Sequence, residues 1–194
     1  WVWRCRTTMG NRATFAKATY FDEGRAWWEW HQVALDRLQT PLSIAFAFVA
    51  THNHFVLDRG GKVFNRSGPA IKLSAGSTER DHFALLGPLA SSLACFWMKQ
   101  QFHGKGNGGV NEGYRGDGWE EFFEFDGTKL QQFPLPSGPP PVARAERLDR
   151  LAARLSGEQP MALAGRGVPS RGALEQARSA AERVFGEMVA IQEE

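Results

Sequence analysis

The sequence is poor in cysteine, with two in 194 residues, at positions 5 and 95. That excludes a disulfide framework and makes the cytosol the default compartment. No run of about 18 apolar residues occurs, so no membrane-spanning helix is predicted. No basic stretch followed by an apolar one reads as a leader. A GxxxxGK[ST] phosphate loop and a GxSxG nucleophile turn are both missing, which removes two common catalytic devices. The chain opens on Trp1 rather than Met and closes on Gln192-Glu193-Glu194, so it reads as a piece of a longer protein.

What is present is ordinary globular composition, 42% hydrophobic and 23% charged. The length suits one sizeable domain plus a helical appendage. Seven Trp and fourteen Phe require either a core of large rings or rings left outside for another purpose. The net charge of +2 is uneven. Residues 1–73 hold ten Lys/Arg against five Asp/Glu, residues 74–136 five against eight, and residues 137–194 eight against eight. The basic excess marks the first part as the place for phosphate contacts, if there are any.

Residues 40–73 organise the rest. Ile44, Phe46 and Phe48 alternate with Ala45 and Ala47, the period-two pattern of a strand. A second short strand is expected at residues 54–57. A hairpin turn follows at Asp58-Arg59-Gly60-Gly61-Lys62, with the strand resuming at Val63-Phe64 and a last one at Ile71-Lys72-Leu73. Arg59, Lys62, Arg66 and Lys72 lie on or beside these turns, a cationic edge suited to a polyanion; the plainer reading is a solvated loop surface. His52 and His54 would share one face of a strand, but no third ligand stands at a recognised metal spacing, so no metal is predicted.

Elsewhere the chain alternates rings, glycine and helical stripes. Residues 1–20 read as two short strands around Gly10-Asn11, with Trp1, Trp3 and Phe15 as core, or else as rings interleaved with cations for nucleic acid. Trp27-Trp28-Glu29-Trp30-His31 reads more readily as core than as base-stacking surface. Residues 78–99 read as helix, capped by Thr78 with Glu79 and Asp81 in the first turn and broken at Gly87-Pro88. Residues 101–118 carry seven glycines and the candidate cations Lys105 and Arg115: a flexible loop, either DNA-contacting or plain surface. Residues 128–136 read as an extended exit. Ser137-Gly138-Pro139-Pro140-Pro141 marks a boundary. Two helices follow, one with Leu148, Leu151 and Leu155 on a face, the other capped by Ser170 with Leu174, Ala177, Ala181, Val184, Met188 and Ile191 in a stripe. They predict an antiparallel hairpin. The division is thus a recognition-like domain at residues 1–136, a linker at 137–141 and a helical hairpin at 142–194; the class is α+β, a β-rich domain with packed helices.

Three sets of strings carry a resemblance. They are LSIAFAFVATHNHFVLDRGGKVFNRS with SGPAIKL, then LACFWMKQ with VNEGY, and finally FDGTKLQQFPLP. They resemble the target-recognition region of large bacterial N6-adenine DNA methyltransferases, specifically the PglX type of the BREX phage-defence systems. The likeness covers essentially the whole chain. Similar proteins usually carry an Asn-Ser pair where this chain reads Leu89-Ala90-Ser91; if that Asn caps or pins the second helix, Ala90 leaves this chain one hydrogen bond short. The resemblance implies double-stranded DNA as partner, other defence-system subunits as possible partners, and S-adenosylmethionine as the cofactor of the parent protein.

Such an enzyme needs a glycine-rich strand-to-helix turn for the cofactor. It also needs an (Asn/Asp/Ser)-Pro-Pro-(Tyr/Phe) motif to hold the flipped adenine. Neither occurs; Gly138-Pro139-Pro140-Pro141 lacks both the polar lead and the aromatic. These residues are therefore expected not to catalyse methyl transfer, with no catalytic or cofactor-binding residue assigned among them, and the resemblance implies that they belong to the DNA-recognition part of such an enzyme. The alternative is a protein-interaction module whose aromatic clusters dock partner subunits.

Overall fold

The computed structural model describes residues 1–31, 41–60, 62–105 and 121–193. The chain makes two compact units, Trp1–Thr40 and Pro41–Glu194.

In the first unit a 3-10 turn, Val2–Cys5, runs into the short helix α1, Arg6–Gly10. The two strands expected there are absent from the described residues, and an isolated Ala13–Thr19 bridge is the only pairing. Gly10 is needed for packing rather than for a turn: a Cβ there would stand 2.1 Å from the Phe21 ring. Tyr20 is fully buried, with the guanidinium groups of Arg12 and Arg25 at 4.5 and 4.6 Å from its ring centroid. Arg12 also donates to the carbonyls of Met9, Trp27 and Glu29.

The second unit is mixed α+β, as the sequence implies. Strand β1, Ser43–Phe46, is central and buried throughout. It pairs antiparallel with β3, Phe55–Asp58, in the register Ile44–Leu57, and with β4, Ala70–Ile71, in the register Ile44–Ile71. A second sheet joins β2, Val49–Ala50, to β6, Phe122–Glu124, and β6 to β5, His103–Lys105, all antiparallel. Because β1 and β2 are almost consecutive, one extended segment serves both sheets. The alternation seen in the sequence puts Ile44 and Phe46 on one face of β1. Ile44 packs with Leu57, Phe83, Leu86, Val142 and Ala145; Phe46 packs with Leu89, Met98, Phe102, Phe123 and Phe125.

Helix α2, Glu79–Leu89, starts on the predicted cap. Thr78 accepts from the Asp81 backbone and the Asp81 carboxylate accepts from Thr78 N–H at 2.7 Å, a capping box. The break comes later than expected. The helix runs through Pro88 and ends at Ala90, and α3, Ser92–Gln101, restarts on Ser91, whose hydroxyl oxygen accepts from Ala94 N–H at 3.1 Å. Gly87 is not a breaker: a Cβ there would lie 2.8 Å from Pro141, so it admits the chain entering α5, Val142–Gly157. The extended exit expected after residue 128 instead begins with one helical turn, α4, Gly127–Leu130, capped by the Asp126 carboxylate.

Beyond α5 comes a short helix, α6, Pro160–Ala164, inside the connection read as plain loop, and then α7, Arg171–Glu193, with Ser170 accepting from Ala173 N–H. Leu151 of α5 packs on Val184 and Ile191 of α7, flanked by Leu148, Leu155 and Met188. The two apolar stripes thus meet. Val142 and Ala145, at the start of α5, enter the cluster around Ile44.

Candidate nucleic-acid interface

The predicted hairpin does not form. β3 ends at Asp58, and Val63 and Phe64 lie outside any strand. The reason is that β1 has two edges. β3 fills one and ends beside Ser43, while β4 fills the other running in the same direction as β3, so the chain between them must cross back along β1 to its Phe46 end. Residues 59–69 are that crossover. Phe46 N–H donates to Pro69 O at 2.9 Å and Phe48 N–H to Ser67 O at 3.1 Å, which ties the returning half down. Gly60 opens the crossover at φ +95°, a left-handed backbone where a Cβ would also sit 3.1 Å from Pro41 O.

The candidate cations fall into different surroundings. Arg59 is bound within the unit: its guanidinium donates to Glu79 from Nε at 3.1 Å and to Asp149 from Nη2 at 2.8 Å, and it lies 5.9 Å from the Phe83 ring centroid. Hydrogen bonds from Asp149 and Glu79 hold its pKa further above the ordinary arginine value. The acids that take it are these two, while Asp58 accepts from Gly60 N–H. Arg59 therefore links the end of β3 to the start of α2 and the middle of α5. Lys105 on β5 pairs with Glu124 on β6 at 3.1 Å. Arg66 is exposed, with its guanidinium 5.7 Å from the Phe48 ring centroid. Lys62 and Lys72 are exposed and enter no ion pair among the described residues. Arg115 and most of the glycine-rich segment lie outside the described residues. Lys62, Arg66 and Lys72 are thus cations on and just after the crossover, spread along β1: Lys62 follows Gly60 at the Pro41 end, Arg66 lies at Phe48, and Lys72 follows the Ile44–Ile71 pair.

His52 and His54 lie in the loop between β2 and β3 with ring centroids 4.1 Å apart. Burial lowers both pKa values, with the Lys99 charge adding to the effect at His52 and His52 itself at His54. No group of three or more potential metal ligands forms among the described residues. Between these rings Asn53 is buried and donates to Leu89 O at 2.7 Å and Ser91 O at 3.3 Å, locking the junction of α2 and α3. Sequence reasoning missed that role; a polar residue between two histidines at a strand end was its only signal. It also missed a groove of about 910 Å³ lined by Leu93, Phe96, Trp97, Phe133, Leu148 and Ile191 among others.

The described residues do not fit S-adenosylmethionine. Their strand pairs are all antiparallel, and the first turns of α2 and α3 are closed by their own caps, so no glycine-rich strand-to-helix turn offers free amides.

Over its whole length the chain is similar to part of an adenine-specific methyltransferase. That relative is the adenine-specific methyltransferase PglX of Streptomyces coelicolor (strain ATCC BAA-471 / A3(2) / M145), 49% identical over 197 aligned positions. The match takes in 100% of this chain and 16% of the relative, so the chain spans about a sixth of that protein's length. The likeness to PglX read from the residues is borne out, and the chain is PglX-like in sequence throughout. No family model matches, and no solved structure matches.

Proposed function

We propose that this chain is a DNA-recognition segment of a PglX-type, S-adenosylmethionine-dependent N6-adenine DNA methyltransferase that acts in phage defence in the cytoplasm. The full-length identity to an adenine-specific methyltransferase carries the reading. Methyl transfer and cofactor binding belong to other parts of the whole protein, since the adenine-holding and cofactor motifs are missing from this sequence. Residues 1–136 carry the recognition surface, and residues 142–194, entered through 137–141, act as a helical spacer that other defence subunits can meet. Lys62, Arg66 and Lys72 contact backbone phosphates of duplex DNA, and Lys105 and Arg115 are further candidates for such contacts. Arg59 keeps its two carboxylates instead.

The test is duplex-DNA binding by anisotropy at several salt concentrations, with Lys62→Ala and Lys72→Ala. Each variant weakens binding to all sequences and makes the salt slope shallower by about one unit. Unchanged affinity and slope in both, with the fold intact, would remove the crossover from the interface. A protein-docking module is the second reading, favoured by the apolar groove; it requires partner binding that salt leaves unchanged and no binding to duplex DNA.

A further inference from the structure

The first unit places large rings outside. Trp3 is 69% exposed, Phe15 76%, Trp28 64% and Trp30 87%. Large rings left this exposed mark a surface that suits an occupant. The charges of the same unit say which. Over residues 1–31 there are five Lys/Arg and three Asp/Glu. All three acids are spent internally. Asp22 accepts from Thr19, Glu23 from Thr14, and Glu29 from Arg25 and the Ala26 backbone. Two of the cations, Arg12 and Arg25, are used up on Tyr20, on backbone carbonyls and on those acids.

What remains outward is cationic. Arg4, Arg6 and Lys17 enter no ion pair among the described residues. Arg6 lies 5.3 Å from the ring centroids of both Trp3 and Phe21, so a positive charge stands at the edge of the ring surface. Trp3, Trp27 and Trp28 continue it as an edge-to-face ladder, with centroids 5.6 and 5.3 Å apart. A ligand that complements this surface needs flat faces for the rings and negative charge for the cations. Unpaired nucleotides have both.

We propose that the first unit binds single-stranded nucleic acid, its bases stacking on Trp3, Trp28 and Trp30 and its phosphates meeting Arg4, Arg6 and Lys17. This site is separate from the duplex contacts assigned to the crossover loop and does not depend on them.

The test titrates the full chain with a short oligothymidylate, read by anisotropy and by quenching of tryptophan fluorescence. Trp30→Ala is the main variant, since among the described residues that ring makes no ring contact that a truncation would break. Trp30→Phe retains a stacking face. Loss of one stacked ring weakens binding about tenfold for Trp30→Ala, while Trp30→Phe recovers most of it. Arg6→Ala makes the salt slope shallower by about 0.7. Lys62→Ala leaves oligothymidylate binding unchanged, so this site and the duplex site fail or succeed separately. No binding by the wild-type chain at low salt overturns the proposal. So does equal binding by Trp30→Ala, and so does a ring surface that instead drives salt-insensitive self-association, which would make it a protein contact.

Discussion

The two units put rings and charges in opposite places. In residues 41–194 the rings of Phe46, Phe102, Phe123 and Phe125 are buried against Leu89 and Met98, while Lys62, Arg66 and Lys72 stand outside. In residues 1–40 two arginines hold the interior ring, Tyr20, and tryptophans stand outside. The difference follows from how much surface each can bury. The larger unit has sheet faces and helix stripes to cover, so hydrophobic burial dominates it. The smaller has one short α-helix and an isolated bridge among its described residues, so hydrogen bonds from Arg12 to three carbonyls do much of the holding. Aromatic content therefore does not tell where a ring goes.

The sharpest way to break the comparison is to truncate apolar side chains in the larger unit. Ile44 is fully buried between Leu57 and Leu86. Ile44→Ala is expected to cost about 2–5 kcal/mol, the lost transfer energy plus the cavity left behind. In a unit of this size that lowers Tm by roughly 5–15 °C. A melt unchanged to within about 1 kcal/mol would mean that β1 is not the centre of the core.

In the smaller unit the weak point is a charge. Arg12→Met keeps an unbranched stem as far as the Nε position and removes the donors, leaving the carbonyls of Met9, Trp27 and Glu29 to find water. The expected cost is about 1–3 kcal/mol, confined to residues 1–40. It shows as loss of near-UV circular dichroism from the tryptophans, with the main melt of residues 41–194 unmoved. Equal loss in both would show the two units to unfold together.

Arg59 separates a structural cation from a DNA-facing one. Its ion pairs with Glu79 and Asp149 are half-exposed on the arginine side, so solvent screening limits their worth. Arg59→Ala is expected to destabilise by about 1 kcal/mol. The salt slope of duplex binding should stay as it is, in contrast to Lys62→Ala. A slope shallower by about one unit would return Arg59 to the interface.

Local rules made much of the larger unit legible. The Ile44/Phe46 alternation, the Thr78–Asp81 capping box, the Ser170 cap and the stripes that meet at Leu151 and Val184 each depend on residues within a few positions of one another. What stayed hidden depends on distant partners. Val63-Phe64 has strand chemistry, but the second edge of β1 is taken by Ala70–Ile71. Gly87-Pro88 has breaker chemistry, but Pro141, more than fifty residues on, is what Gly87 accommodates. The candidate cations showed the same limit. Nothing near Arg59 in sequence marks Asp149 as its partner, ninety residues away.

The smallest expected effect tests the outward rings of the first unit directly. Trp30 is 87% exposed, and its backbone carbonyl, not its ring, accepts from Tyr20 Oη at 3.3 Å. Replacing the ring by a methyl group leaves that hydrogen bond in place and opens no cavity. Trp30→Ala should therefore change the stability of the chain by no more than about 0.5 kcal/mol, the range of surface substitutions away from special features. The contrast with Ile44→Ala is what matters, since Trp30→Ala removes more apolar atoms. If urea unfolding shows a loss of about 2 kcal/mol or more, the ring is buried in the folded protein and the first unit has an ordinary core after all. If stability holds while oligothymidylate binding falls, the ring serves a ligand rather than the fold.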